Sequence, residues 1–119
     1  MIHKVNRLLF LCLTLNCISV NQGRNVTLTC PLKISASVGI LSWYKQNAEE
    51  GPHILLTYIL TSPSDVLYAE GIDTHRYVVL IKKQFKSRHR LQILAAEEKD
   101  TAIYYCGYSE KMDEIKKKP

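Results

Sequence analysis

Two cysteines with a tryptophan between them constrain this chain more than any other feature. Trp43 follows Cys30 by thirteen positions, and Cys106 follows Cys30 by seventy-six. Residues 100–106 read Asp-Thr-Ala-Ile-Tyr-Tyr-Cys, which places Tyr104 two positions before the second cysteine. Each element is a weak signal alone. Together and in this order they strongly favour one small all-β domain.

Alternating apolar and polar residues predict short strands separated by turns. Val26, Leu28 and Cys30 share one face, and Leu41 and Trp43 point inward on the next strand. Further strand-like segments occur at residues 53–59, 77–81, 91–93 and 102–106, and residues 61–65 are expected to form a loop. No sustained helical period or internal repeat is present. The pattern predicts an antiparallel two-sheet sandwich.

The N-terminus has the pattern of a secretion signal. Lys4 and Arg7 precede an apolar run from residue 8 to about residue 20, which is shorter than the roughly 20 residues that span a membrane. Small residues at Cys17 and Ser19 predict cleavage after Ser19; a buried N-terminal strand is the alternative. We expect a signal peptide at residues 1–19, a domain at residues 20–109 and a polar, lysine-rich tail at residues 110–119.

The charge of the chain argues against a nucleic-acid partner. The net charge of +5 falls to +2 when the two N-terminal cations and the tail, which carries +1, are left out. Such a small excess is not the electrostatic footprint of a nucleic-acid-binding domain. No later apolar stretch is long enough to span a membrane.

Residues from about 20 to 109 resemble the variable-type (V-set) immunoglobulin domains of antigen receptors. The resemblance rests on Trp43-Tyr44-Lys45-Gln46, on residues 91–93 and on the run that ends at Cys106. Residues 68–73, followed by Arg76, look most like T-cell receptor gamma-chain variable segments. The long cysteine spacing leaves room for the two additional strands of the variable type.

The resemblance implies a set of contacts in the core. They are a disulfide between Cys30 and Cys106, a core around Trp43, Leu91 and Tyr104, and an ion pair between Arg76 and Asp100. Cleavage of the signal would remove the other two cysteines, and the oxidising secretory pathway would allow the bond to form.

Two features depart from the resembled family. After cleavage at Ser19 only about ten residues precede Cys30, so strand A is expected to be truncated. No Phe-Gly-x-Gly motif follows Cys106, so strand G is expected to be missing or poorly formed.

The resemblance also implies where partners bind. Tyr44, Gln46 and Tyr105 point away from the core on adjacent strands, and this face pairs with a second variable-domain chain in the family. Antigen loops are expected near residues 34–39, near residues 59–67 and from Gly107 onward. The candidate loop residues are Ser35, Ser37, Val38, Thr61, Ser62, Ser64, Gly107 and Tyr108.

No catalytic constellation, metal site or cofactor site is apparent, so we expect no enzyme. His53, His75 and His89 lie far apart in sequence, on or beside predicted turns, without the paired spacing of zinc ligands. We expect them to be exposed loop histidines. The sequon at Asn25 predicts an N-linked glycan.

The densest basic segment, residues 82–90, has five lysines and arginines. Such a segment is able to bind heparin-like polyanions, but the preferred interpretation is a solvated hairpin whose lysines and arginines discourage edge pairing.

These observations predict an antigen-receptor variable segment that recognises antigen through its loops after joining and pairing. We expect it in the secretory pathway, extracellular or at the cell surface through a constant region that this sequence does not contain. The alternative is a secreted or cell-surface single V-type domain for adhesion or innate recognition, with polyanion binding as one variant of it.

Overall fold

A computed structural model describes residues 8–13, 16–80 and 88–110, with side chains from residue 17 onward. Nine strands and two short 3-10 turns, Thr74–Arg76 and Glu98–Asp100, lie within these residues. The strands are β1 (Leu8–Leu13), β2 (Asn16–Asn21), β3 (Val26–Thr29), β4 (Ile40–Gln46), β5 (His53–Ile59), β6 (Ser62–Tyr68), β7 (Tyr77–Leu80), β8 (Arg90–Ile93) and β9 (Ala102–Ser109). The proposed tail from residue 111 onward lies outside the described residues, as do residues 82–87 of the basic segment.

The strands form two sheets. The larger sheet has the order β2-β1-β9-β4-β5-β6, and the smaller has the order β3-β8-β7. All neighbours pair antiparallel except β1 and β9, which are parallel. The expected all-β, two-sheet sandwich is therefore confirmed. Within the described residues, no strand pairs with the free side of β3, where a full strand A would lie.

The smaller sheet follows the alternation of its sequence. Val26 and Leu28 of β3 are buried while Thr27 and Thr29 are exposed. On β8, Leu91 and Ile93 are completely buried. One face of this sheet therefore covers the core, and the other meets water, as is usual for an antiparallel sheet.

The larger sheet departs from simple alternation at two register shifts, one between β4 and β5 and one between β5 and β6 at Tyr58 and Ile59. The register between β4 and β5 shifts between Trp43 and Tyr44, so that Trp43 pairs with Leu56 and Tyr44 with Ile54. The extra residue, Leu55, is buried together with Leu56. The bulge lets two consecutive leucines enter the core while β5 stays paired, which a strict two-residue period does not allow.

The N-terminal strands extend the larger sheet. β1 and β2 pair over their full lengths, and β1 pairs with β9 at Ala102, Ile103 and Tyr104. Cys17 is disulfide-bonded. If the chain is cleaved after Ser19, β1 is lost and only the last two residues of β2, Val20 and Asn21, remain.

Candidate pairing face and loop end

A disulfide joins the two sheets at the centre of the domain. Cys30 and Cys106 are bonded, with their Cα atoms 5.8 Å apart. Trp43 lies opposite Cys106 in the ladder between β4 and β9. Trp43, Leu91 and Tyr104 are each completely buried. The disulfide expected from the resemblance is therefore present, and it holds β9 in place beneath the outer face.

Arg76 and Asp100 form an ion pair at the end of the sandwich that lies opposite the loops. The guanidinium donates to both carboxylate oxygens of Asp100, at 3.0 and 2.5 Å, and to the carbonyl oxygens of Leu94 and Ala95. Asp100 also accepts from the backbone N–H of Glu97 at 2.8 Å. Burial raises the pKa of Asp100, but these hydrogen bonds outweigh burial, so the net pKa is below its usual value.

Tyr104 is tied to the same corner. Its hydroxyl donates to the carbonyl oxygen of Asp100 at 2.6 Å, which is the hydrogen bond of a tyrosine corner. Burial, followed by the negative charge of Asp100, raises the pKa of Tyr104. The Asp100 carboxylate therefore holds the turn before β9, and the Asp100 carbonyl oxygen holds Tyr104 within β9.

The outer face of the larger sheet carries aromatic and aliphatic side chains in a row. Tyr44 of β4 pairs with Tyr105 of β9 on one side and with Ile54 of β5 on the other. Paired residues of antiparallel strands share a face, so the three side chains lie side by side. Ile54 is 45% exposed, and both tyrosines are half-buried.

A second row crosses the same face. Leu67 of β6 pairs with Thr57 of β5, which pairs with Ser42 of β4. Leu67 is 68% exposed, whereas Ser42 is buried and its hydroxyl bonds that of Thr57 at 2.8 Å. Ser42 pairs in turn with Gly107, and a Cβ on Gly107 would lie 3.4 Å from the Tyr44 ring.

Gln46 and Tyr105 are joined directly on this face. The Tyr105 hydroxyl donates to Gln46 Oε1 at 2.6 Å, and Gln46 Nε2 donates to the carbonyl oxygen of Glu50 at 2.8 Å. Both ends of the amide are therefore engaged within the chain. The structure brings the three residues expected at a partner interface onto one surface, which we call the outer face (Ser42, Tyr44, Gln46, Ile54, Leu67 and Tyr105).

The first loop expected to contact antigen is present at residues 31–39. Ser35, Ser37 and Val38 are all exposed, with Val38 at 57%. Gly39 ends the loop with φ +122, and a Cβ there would lie 2.6 Å from the ring of Tyr108. The Tyr108 hydroxyl donates to the carbonyl oxygen of Val38 at 2.7 Å, which ties the loop to β9.

The second loop is shorter than expected. Residues 61–65 were predicted as a loop, but Ser62 and Ser64 lie in β6, and only Leu60 and Thr61 connect β5 to β6. The prediction was wrong because hydroxyl residues and Pro63 also fit an exposed edge strand. On the solvent side of such a strand a backbone N–H forms no ladder hydrogen bond, so proline can take the position. Thr61 remains at the exposed turn.

The third loop does not begin at Gly107. Gly107 and Tyr108 lie in β9, opposite Ser42 and Leu41 of β4, so placing them in a loop was also wrong. Tyr108 packs against the hydrophobic core, which extends the strand beyond Cys106.

Two further predicted residues are His89 and the glycosylation site Asn25, and the structure contradicts the prediction for His89. His89 is only 8% exposed, and its Nδ1 lies 2.8 Å from the Tyr58 hydroxyl, so it is not an exposed loop histidine. Its two-residue spacing from Leu91 and Ile93 was the available signal. Asn25 is exposed, and its Oδ1 accepts from the backbone N–H of Ala95 at 3.0 Å.

Comparisons with known proteins agree with this architecture. The immunoglobulin V-set domain family matches residues 15–118. T cell receptor alpha variable 13-2 of Homo sapiens is 34% identical over 90 residues, which cover 76% of this chain and 72% of that protein. T-cell receptor alpha chain V region RL-5 of Oryctolagus cuniculus is 31% identical over 88 residues, which cover 74% of this chain and 59% of that protein.

Both relatives are alpha chains, so the comparisons support an alpha-type rather than a gamma-type resemblance. The gamma assignment rested on residues 68–73, which span the end of β6 and the connection to the turn before β7. Connecting segments vary more than cores, so they are poor guides to subtype. The sandwich, its inter-sheet disulfide, the tyrosine corner and the family match show that the chain belongs to the immunoglobulin V-set domain family.

Proposed function

We propose that this chain is the variable domain of a T-cell-receptor-type antigen receptor. It pairs with the variable domain of a second chain through the outer face and recognises antigen with its loop end, without making or breaking a covalent bond. The similarity to two T-cell receptor alpha variable chains supports the receptor class.

The apolar exposure of the outer face is the observation that carries the pairing proposal. Ile54 and Leu67 are 45% and 68% exposed, on two neighbouring rows of a rigid sheet. Contiguous exposed apolar side chains beside tyrosines are typical of a protein interface. Burying them against a partner removes this surface from water and favours association.

The hydrogen bond between Tyr105 and Gln46 prepares this face for a partner. The Tyr105 hydroxyl is already held 2.6 Å from Gln46 Oε1 in the unpaired chain. The ring therefore loses less side-chain entropy when a partner packs on it. Tyrosine supplies a large contact area with few rotatable bonds, which suits it to a central interface position.

The loops at one end of the sandwich are suited to recognition because the strands on either side of them are held in place. The loop at residues 31–39 is anchored on one side by the disulfide at Cys30 and on the other by the Tyr108 hydrogen bond to Val38. Exposed serines in this loop offer hydroxyls that adapt to different ligands.

The proposal includes a route to the cell surface. Residues 1–19 act as a signal peptide cleaved after Ser19, and a constant region outside this sequence holds the receptor at the membrane. Within the described residues no helix has both the length and the apolar character to cross a membrane.

Co-expression in a secretory host tests the pairing. The chain is expressed with a panel of variable domains from the second chains of T-cell receptors, and the products are examined by sedimentation velocity. We expect a 1:1 heterodimer with some panel members. Leu67→Asp should weaken this heterodimer at least 10-fold, whereas Thr29→Asp, an exposed position on the smaller sheet, should not.

Two outcomes would contradict the proposal. If no panel member forms a heterodimer and the chain remains monomeric, the alternative of a V-type domain that works alone is favoured. If Leu67→Asp and Thr29→Asp weaken the heterodimer equally, the interface is not on the outer face.

A further inference from the structure

The negative charges of this domain are unevenly distributed. No aspartate or glutamate occurs before Glu49 or between Asp73 and Glu97. These two stretches supply β3, β7 and β8, so the smaller sheet contains no carboxylate. Asp65 lies in β6 and Glu110 directly follows β9. Both strands belong to the larger sheet.

The carboxylates gather instead at the end opposite the recognition loops. Glu97 and Asp100 surround Arg76 there, and Asp73 accepts from the backbone N–H of His75 within the turn before β7. Because this end is acidic and the smaller sheet is not, the domain has an electrostatic polarity that would orient a charged ligand.

Two arginines are presented side by side at the loop end of the smaller sheet. Arg88 and Arg90 are exposed and flank the buried His89. Alternate residues of an extended chain lie on one side, about 7 Å apart. Arg90 pairs with Thr29 and with Leu80, and the backbone N–H of Cys30 donates to the carbonyl oxygen of His89 at 2.8 Å. Both guanidinium groups are therefore carried by a fixed backbone.

A third cation stands on the neighbouring loop. Arg88 Nη1 donates to the carbonyl oxygen of Pro31 at 3.2 Å, and the exposed Lys33 follows two residues later. The exposed hydroxyl of Thr29 lies beside Arg90, and that of Ser35 follows Lys33. We call this surface the basic corner (Thr29, Lys33, Arg88 and Arg90). It combines three cations with one hydroxyl and contains no acid.

We propose that the basic corner binds a sulfated polysaccharide. The repeated sulfates of such a chain match neighbouring cations on a rigid support, and hydroxyls can donate to the same oxygens. The described basic corner has no exposed aromatic side chain, whereas proteins that bind single-stranded nucleic acid stack bases on aromatic rings. Because the corner lies on the smaller sheet, this binding does not depend on pairing through the outer face.

Heparin serves as the probe. Its affinity for the full chain is measured in 150 mM salt and over a salt series, beside desulfated heparin and a duplex DNA of equal charge. We expect binding to heparin only. Replacing both arginines (Arg88→Gln with Arg90→Gln) should weaken binding at least 10-fold and reduce the salt slope by about 2, one for each lost contact. Lys33→Gln, in an exposed loop, should weaken binding without any change in the melting temperature.

A matched control separates the corner from net charge. Arg24→Gln with Lys99→Gln also removes two exposed cations, but outside the corner, and should change heparin affinity less than 2-fold. Equal losses in the two double variants would show attraction by net charge alone and would overturn the proposal. Binding to duplex DNA as tight as to heparin would overturn it in favour of a nucleic acid, and absence of heparin binding at 150 mM salt would overturn it outright.

Discussion

The guanidinium of Arg76 donates to both carboxylate oxygens of Asp100, and the carboxylate is completely buried. The pair connects the turn before β7 to the turn before β9, so it joins the two sheets at the end away from the loops. A buried ion of this kind requires its partner, because an uncompensated charge in the interior is costly.

Removing the negative charge of Asp100 should destabilise the domain strongly. Asp100→Asn removes the buried carboxylate and leaves Arg76 only the half-exposed Glu97 at 3.9 Å, so we expect a loss of about 3 kcal/mol in the free energy of unfolding. Urea denaturation of the oxidised protein measures this loss. Lys99→Gln removes the exposed pair of Lys99 with Glu97 at 3.3 Å and should cost less than about 1 kcal/mol. Similar losses in the two variants would mean that the buried pair is no stronger than a surface pair.

The same pair should make stability depend on acidic pH. The pKa of Asp100 in the folded chain lies below its ordinary value of 3.8, so its contribution is complete above that pH and is lost as the pH falls below it. The difference in unfolding free energy between the unaltered chain and Asp100→Asn should be constant from pH 7 to about pH 5 and shrink below about pH 4. A difference that stays constant down to pH 2.5 would contradict this assignment.

Asn25 should carry an N-linked glycan when the chain passes through a secretory host. The side chain is exposed where the chain enters β3, and its Oδ1 rather than its amide nitrogen accepts the hydrogen bond from Ala95. Treatment with a glycosidase that removes N-linked glycans should increase gel mobility, and Asn25→Gln should abolish that shift. Identical mobility with and without the enzyme would show that the sequon is unused.

An added strand on β9 should stabilise the domain. β1 pairs with β9 only from Ala102 to Tyr104, and cleavage after Ser19 would remove β1 altogether. Open strand edges favour pairing with other chains. A chain that begins at Val20 should self-associate, and fusing a strand containing Phe-Gly-x-Gly should restore a monomer and raise the melting temperature by about 5 °C per kcal/mol gained. A monodisperse monomer whose melting point the fusion leaves unchanged would contradict this.

The sequence predicted best what its two-residue period and fixed spacings control. Val26 and Leu28 alternate with exposed threonines because burial on one face dictates the register. The meeting of Cys30, Trp43 and Cys106 at the centre was implied by the resemblance to V-set domains. The period could not reveal the bulge at Leu55, which buries two consecutive leucines.

Other features depended on tertiary contacts that local composition does not encode. Serine is as common in loops as in an exposed edge strand; Ser62 and Ser64 both lie in β6, and Ser62 pairs with Ile59 of β5. His89 is buried because Tyr58, thirty-one residues away, provides a partner for its ring nitrogen. Ile54 and Leu67 are exposed although both are large and apolar, and their place on the outer face follows from the strand pairing rather than from their residue type.

Covalent footprinting of exposed side chains most directly tests whether the outer face is the pairing surface. The chain is labelled alone and in the heterodimer with a second-chain variable domain, and the modified residues are identified by mass spectrometry. We predict that labelling of Leu67 and Ile54 falls at least several-fold on pairing, while labelling of Val38, which is 57% exposed on the recognition loop, stays unchanged. Unchanged labelling of Leu67 and Ile54 in a verified heterodimer would contradict the central claim.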